Sequence, residues 1–410
     1  MARLFIKKWI FIGVLILAMP IIALKTGIAF FYFSSWFLLF FILGNIFWVV
    51  FSFVLLDVQI KRQFFPTAVE GETIEVQVSI KNKSLLGAYN ILFQDNCPCG
   101  RHGQAEKNMP VWHIPAQSWF YVKYNLYCLR RGKYTLGPFH AYVLDPFGIF
   151  YLTVHLPVYD DLYVYPRIFR IEKFPELAKG NAPWFGIQTT RSIGEDDEFF
   201  GLREYRAGDS LRRVHWMSTA RMNQVIVKQF QRQGFCRATI MFSLLHKYDL
   251  SSGEKRLSDY IVSLAASITK YLLDQGVSVE LVAHTGSYAR IDFNKGNEHM
   301  QEILKFLSVA QADSQTSVVE LFEGHRRFLQ HDSTVIIIMP DAEWEILSAA
   351  VPLDKRDFSF IPLVLLSASF LSNLSTERVI KDSQIKLLNS TTFSPVVLPC
   401  NQYFEEAFLR

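Results

Sequence analysis

Two long apolar runs open the chain. The first, "WIFIGVLILAMPIIAL", extends from Trp9 to Leu24 without a charge. After Lys25, Thr26 and Gly27 the second, "IAFFYFSSWFLLFFILGNIFWVVFSFVLL", extends from Ile28 to Leu56. As a helix the second run measures roughly 43 Å, enough to cross a bilayer with tilt. The first is shorter and carries Pro20, but it extends through Leu4 to Ile6 if Lys7 and Lys8 snorkel. The two predict a transmembrane helical hairpin over residues 1–58. A cleaved signal peptide is the alternative for the first run. Against it, no small-x-small site precedes Lys25, and a second span starts at once.

Beyond Leu56 the period changes to two. "ETIEVQVSIKN" (Glu72 to Asn82) and "WFYVKYNLYCL" (Trp119 to Leu129) alternate polar and apolar positions. Short strands then follow between Gly132, Gly137-Pro138 and Pro146 to Gly148. Many short strands set off by turns predict an Ig-like β-sandwich over residues 59–165. Residues 166–232 read as an irregular connector with an acidic patch, Glu195 to Glu198. From residue 233 to 410, strands and helices alternate. "RATIMFSLL", "VSVELVAH", "STVIIIMP" and "FIPLVLLS" read as buried strands. Between the first two, Leu257, Ile261, Leu264, Ile268 and Leu272 recur at helical spacing until Gly276. Helices are also expected in "NEHMQEILKFLSVA", "SVVELFEGHRRFLQ" and "AEWEILSAAV". The pattern predicts a doubly wound α/β domain.

Composition agrees with a membrane protein of several domains. Of 410 residues, 50% are hydrophobic and 15% aromatic, including 36 Phe. Arg3, Lys7 and Lys8 precede the hairpin, Lys61 and Arg62 follow it, and Lys25 alone lies in its turn. By the positive-inside rule both ends face the cytoplasm, in a multi-pass protein of the cell membrane. Five scattered cysteines suit a reducing compartment. A net charge of +4 is too small for bulk nucleic-acid binding, so no nucleic acid is expected as a partner.

Chemical motifs are sparse. No phosphate-binding glycine loop, no G-x-S-x-G elbow and no H-E-x-x-H helix occurs, so no cofactor is expected. Cys97 and Cys99 with His102 and His113 depart from zinc-ligand spacing. One segment is dense in charge: "GLREYRAGDSLRRVHWMSTAR", Gly201 to Arg221. In it Asp209 is placed to cap a short helix and to pair with Arg212 or Arg213 one turn on. Trp216, about two turns on, is expected to anchor that helix in a core. Arg203, Arg206 and Arg221 are candidates to face a partner, with Tyr205 beside them. An internal charge network is the other reading of the cluster. An enzyme, a hydrolase using Asp209, His215 and the arginines, is the alternative from another class, with Ser210 and Ser218 its candidate nucleophiles; a weak nucleic-acid binder is a second alternative, which the modest net charge disfavours.

The same segment resembles the signature of the Domain of Unknown Function 58 family. The resemblance rests on Gly201, Arg203, Tyr205, Gly208, Asp209, Arg212, Trp216, Ala220 and Arg221. It is extended by Arg130, Arg131, Gly132 and Tyr134 and by Asp145 to Gly148. It implies a bacterial membrane protein with a von Willebrand factor A-like C-terminal domain and no catalytic residues. It also implies a non-catalytic adaptor whose partners are a MoxR-type AAA+ ATPase and a transglutaminase-like membrane protein. Such domains hold Mg²⁺ through a carboxylate and hydroxyl oxygens after the first strand. Here Ser243, Leu245 and Lys247 stand at those positions, with Asp341 after a later strand, so no metal is expected.

Overall fold

A computed structural model of the chain describes residues 14, 18, 20–100, 105–172, 174, 190–206, 209, 211, 214–232, 237–249, 251–252, 255–329, 333–343, 359–366 and 396–399. The chain divides into two units, Met1–Val164 and Tyr165–Arg410.

In the first unit, helix α1 spans Ala29–Val54 and carries no charged residue. It is the one helix among the described residues that is long and apolar enough to cross a membrane. Its Asn45 turns inward along the helix, the side-chain Nδ2 donating to the Phe41 carbonyl at 2.7 Å. That bond removes an amide group from the apolar surroundings. Of the first apolar run, residues 1–13 lie outside the described residues. Residues 20–26 are helical and stop at Gly27, whose φ of 67° favours glycine.

A β-rich region follows, built from β1 (Val58–Gln63), β2 (Thr67–Val69), β3 (Thr73–Asn82), β4 (Ala88–Asn96), β5 (Glu106–Ile114), β6 (Trp119–Tyr127), β7 (Gly132–Leu136), β8 (Phe139–Leu144), β9 (Tyr151–Leu156) and β10 (Asp160–Tyr165). The strands form three sheets, ordered β1-β3-β6, β2-β10-β7 and β5-β4-β8-β9. The period-two pattern explains the core. Val76, Val78 and Ile80 of β3 are buried, and they pack with Phe93, Leu126, Phe139 and Leu162 from other strands.

Arg62 departs from its expected place. Its place beside Lys61 predicts a membrane-flanking charge, but β1 carries its guanidinium fully inside the β-rich region. There Nη2 and Nε reach Asp95 at 2.7 and 3.1 Å, Nη1 pairs with Asp160, and the plane lies 4.6 Å from the Phe139 ring. Burial pushes the Asp95 carboxyl up, against the opposing pull of Arg62 and the Tyr124 hydroxyl. A buried pair of this kind is costly to break from one side.

In the second unit, β11 (Thr190–Glu204) pairs antiparallel with β12 (Ile226–Arg232), with register shifts along β11. Residues 190–204, expected to be irregular, are therefore one arm of a long hairpin. The alternation in "NQVIVKQF" marked only the other arm. Between the arms lies α2, Trp216–Met222.

The α/β domain contains β13 (Arg237–Ser243), the short pair β14 (Ser251–Ser252) and β15 (Lys255–Arg256), α3 (Leu257–Asp274), β16 (Ser278–His284), β17 (Tyr288–Asn294), α4 (Gly296–Val309), α5 (Val318–His325), β18 (Ser333–Pro340), β19 (Ser359–Leu366) and β20 (Val396–Pro399). The sheet order is β17-β16-β13-β18-β19-β20. Neighbours from β16 to β20 run parallel, and β17 closes one edge antiparallel. All five expected apolar positions of α3 are buried. The apolar runs of β13 and β18 are buried on both faces, as a parallel sheet under helices requires. The helix expected from residue 344 onward lies outside the described residues.

Candidate functional site

Two places gather chemistry in the second unit. The first is the Gly201–Arg221 segment. At the end of β11 the Arg203 guanidinium forks onto Asp209, with Nη1 to Oδ2 at 2.7 Å and Nη2 to Oδ1 at 2.6 Å. The same carboxylate accepts from the Arg206 backbone N–H at 2.8 Å. Arg203 also donates to the Glu204 carbonyl at 2.9 Å. Two charge-assisted bonds in a planar fork fix the turn that follows the strand. The Arg203 guanidinium, and after it the Arg206 N–H, hold the Asp209 carboxyl below the usual carboxylate range.

This geometry changes the expected roles. Asp209 pairs with Arg203; its expected partners Arg212 and Arg213 lie outside the described residues, as do Gly208 and Ser210. Arg203, expected on the partner-facing rim, is an internal strut with about a fifth of its side chain exposed. The helix α2 begins only at Trp216, since Val214 still forms an isolated bridge with Val227, so Asp209 is not the cap of α2; residues 210, 212 and 213 lie outside the described residues. The N-cap of α2 is His215, whose Nδ1 lies 2.8 Å from Ser218 Oγ and accepts the Ser218 N–H at 3.3 Å. Of the groups in the hydrolase alternative, His215 and Ser218 meet at 2.8 Å, whereas Asp209 pairs with Arg203.

Trp216 also reverses its expected role, being 71% exposed. No residue of α2 is buried. Met217 and Met222 are as open as Trp216, and Leu211 and Val225 lie exposed nearby in the chain. Arg206 and Arg221 are exposed, and Tyr205 is half-exposed. The segment therefore presents aromatic, thioether and guanidinium groups outward, over a turn locked by Arg203 and Asp209.

The second place is the carboxyl edge of the parallel sheet, where the strand order reverses about β13. Ser243 ends β13, and its Oγ donates to the Thr316 carbonyl at 2.6 Å and lies 2.9 Å from Ser314 Oγ. Ser314 Oγ is 2.8 Å from His284 Nδ1, and Thr316 Oγ1 is 3.3 Å from His284 Nε2. A small depression beside these groups is lined by Ser243, Asp249, Ser258, Ala312 and Pro340, among others. Open α/β sheets place ligands at this edge. Here Ser243 is inside a hydroxyl–imidazole network, Leu245 bridges to Ser314, and Lys247 lies over the Tyr248 ring. Among the described residues no three His, Cys, Asp or Glu side chains gather as a metal-ligand set. Motif spacing points to Ser243 here. It does not point to His284 of β16, or to Ser314 and Thr316 of the loop between α4 and α5, because those two segments are far apart in the chain.

Comparison with known proteins decides the relationship. Residues 201–341 match the family model described as "Protein of unknown function DUF58". This segment is a DUF58 domain. The match starts at Gly201, at the head of the signature, and ends at Asp341, just beyond β18. Over 293 residues the chain is 23% identical to "Uncharacterized protein YeaD" of Bacillus subtilis (strain 168), covering 69% of this chain and 70% of that protein. Among solved structures, the CARDB domain of PF1109 from Pyrococcus furiosus covers 27% of this chain and 89% of its own, at 17% identity and a TM-score of 0.20. The alkylpurine DNA glycosylase AlkC of Pseudomonas fluorescens covers 32% of this chain and 38% of its own, at 11% identity and a TM-score of 0.19. At such TM-scores neither likeness bears on function. The matched segment thus joins the end of β11, the rest of the signature hairpin and the strands β13, β16, β17 and β18 of the α/β sheet.

Proposed function

We propose that the protein is a membrane-anchored, non-catalytic adaptor whose DUF58 domain presents a partner-binding surface on α2. The supporting observation is that α2 has no buried residue, yet it displays Trp216, Met217 and Met222 with Arg221 in its last turn. A helix of seven residues is not stable alone. It is held instead by its His215 cap and by the hairpin behind it. Aromatic residues, Met and Arg are the types enriched at interaction hot spots.

In this reading α1 is an anchor, paired with the preceding apolar run as a two-pass hairpin, and both soluble units face the cytoplasm. Lys61 supports that orientation. Arg62, neutralised by Asp95, adds nothing to it. The α/β domain is a von Willebrand factor A-like fold, and the sheet order supports this. Numbered along the chain from β13, leaving out the short β14–β15 pair, it runs 3-2-1-4-5-6, a common doubly wound arrangement. The proposed partner is a MoxR-type AAA+ ATPase, working on membrane or envelope complexes alongside a transglutaminase-like membrane protein.

The test uses the full chain in detergent and the purified MoxR-type ATPase of the same organism. Trp216→Ser should leave thermal stability within about 0.5 kcal/mol, since the side chain is exposed. It should weaken ATPase binding at least tenfold. Arg221→Ala should weaken binding less and flatten its salt dependence. Unchanged affinity in both variants would place the surface elsewhere and remove the basis of the proposal.

A further inference from the structure

The second family hallmark, Asp145 to Gly148, plays no part in the reading above. It forms the turn between β8 and β9. Phe147 at its tip is 64% exposed, yet its ring meets the Phe41 ring of α1 at 4.8 Å in an edge-on contact. A second ring contact, Trp48 with Tyr89 at the start of β4, joins α1 to the same end of the sandwich.

Distances along α1 turn this contact into a statement about depth. The helix is about 39 Å long, and a hydrocarbon core is about 30 Å thick. Phe41 lies about 20 Å before the helix end that leads into β1. Even if all the surplus length emerged on that side, Phe41 would sit about 10 Å inside the hydrocarbon. Helix tilt would only deepen it. A side chain touching Phe41 from a soluble domain is therefore inside lipid.

Few loops tolerate such a place, because unsatisfied peptide groups are costly in hydrocarbon. This one is built for it. Asp145 is fully buried, and its Oδ2 and Oδ1 accept the N–H groups of Phe147 and Phe150 at 3.0 and 2.7 Å. The Asp145 N–H donates to the Phe150 carbonyl, and the Gly148 N–H to the Asp145 carbonyl. Asn90 Nδ2 donates to that Asp145 carbonyl as well, at 2.6 Å. Pro146 has no N–H to satisfy. The left-handed turn at Gly148, φ 67°, lets the tip fold back over its own carboxylate.

The same end of the sandwich carries further exposed apolar groups. Leu85 and Leu86 lie in the β3–β4 loop, and Trp112 near the end of β5. Leu85 is 87% and Trp112 79% exposed. Lys83 precedes the two leucines and is also exposed, and a cation there suits anionic headgroups.

We propose that the Asp145–Phe150 turn is a membrane-inserted loop, which seats the β-sandwich on the bilayer beside α1, with Leu85, Leu86 and Trp112 at the headgroup boundary. The occupant of this surface is lipid. The apolar surface is continuous with that of α1, and the pairing of the Asp145, Phe147, Gly148 and Phe150 N–H groups inside the turn lowers the cost of placing it in hydrocarbon. The inference rests on α1 being the membrane anchor.

The test places the photocrosslinker p-benzoylphenylalanine at one position at a time in the full chain. The protein is reconstituted in vesicles of phosphatidylethanolamine and phosphatidylglycerol. Position 40, on the exposed face of α1, reports the anchor. Position 147 reports the loop. Position 159, an exposed tyrosine beyond the opposite end of β9, is the aqueous control. Mass spectrometry should find lipid adducts at 40 and 147 and several-fold fewer at 159. Adducts at 40 with none at 147, or crosslinks from 147 only to a second protein, overturn the inserted loop and leave the anchor standing. No lipid adduct at 40 overturns the anchor, and the loop proposal with it.

Discussion

Asp209 and Glu280 show how two carboxylates of one chain serve as fixed points by different means. Asp209 is held below the usual carboxylate range by the Arg203 fork and then by the Arg206 N–H. A lowered folded value contributes stability that is fully present above the unfolded value and disappears as pH falls through the folded one. Asp209→Asn should therefore melt below the parent near neutral pH, and the difference should close below about pH 4. Circular dichroism melts of the full chain across pH would check this. A gap of constant size would mean that the side chain acts through shape alone.

Glu280 is fully buried in β16, where burial works to raise its carboxyl. The His325, Thr239 and Arg290 donors together hold it down. Arg290 Nε stands 2.7 Å from one oxygen, and Thr239 Oγ1 2.9 Å from the other. Because the folded value is lowered, its contribution is likewise lost as pH falls through that value. Removing the charge strands Arg290 and His325 together, so Glu280→Gln should cost about 3 kcal/mol in chemical denaturation. A loss below about 1 kcal/mol would show that Arg290, which is partly exposed, simply rehydrates.

At the scale of elements, ends decide more than centres. Helix α3 stops in a paired carbonyl capture, the Gly276 N–H on the Leu273 carbonyl and the Val277 N–H on the Leu272 carbonyl. That geometry places Gly276 at φ 75°, where a side chain is disfavoured although no atom lies within 4 Å of an added Cβ. Gly276→Ala should cost about 1 kcal/mol, with the heat of unfolding nearly unchanged. Ser317 closes α5 at its other end, accepting the Glu320 N–H while Glu320 reaches back to the Ser317 N–H. Helix α2 has no such interior to rely on. Its cap and hairpin hold it, which is why its side chains remain free to face outward.

For the whole molecule, topology is the first question. Cys97, Cys99 and Cys128 are buried, so native thiols of the sandwich report poorly on sidedness. For Cys97, burial pushes the thiol up to about 12, which further suppresses reaction with a maleimide. A Tyr159→Cys variant places a thiol on an exposed position instead. With the soluble units in the cytoplasm, a membrane-impermeant maleimide should label it only after cells are permeabilised. Labelling in intact cells would reverse the orientation and remove the ATP-dependent partner proposed for the α2 surface, without touching the inserted loop.

Periodicity along the chain was enough to define several elements. Charge-free length gave α1, alternation gave β3 and β6, and helical spacing gave α3, because each depends on which face of one element meets the core. The family was legible in short runs of fixed spacing, chiefly Gly201 to Arg221. Partners across the chain emerged only from the folded arrangement. The side chains of Arg203 and Asp209 meet because a strand and the turn after it fold together. Arg62 pairs with Asp95 and Asp160 because three strands bring those groups to one interior point, although its position beside Lys61 suggested a membrane flank. His284, Ser314 and Thr316 converge at a sheet edge to which no spacing points. Burial and charge pairing are properties of the assembled core, and a linear pattern cannot assign a charged residue its partner until distant strands have been placed beside it.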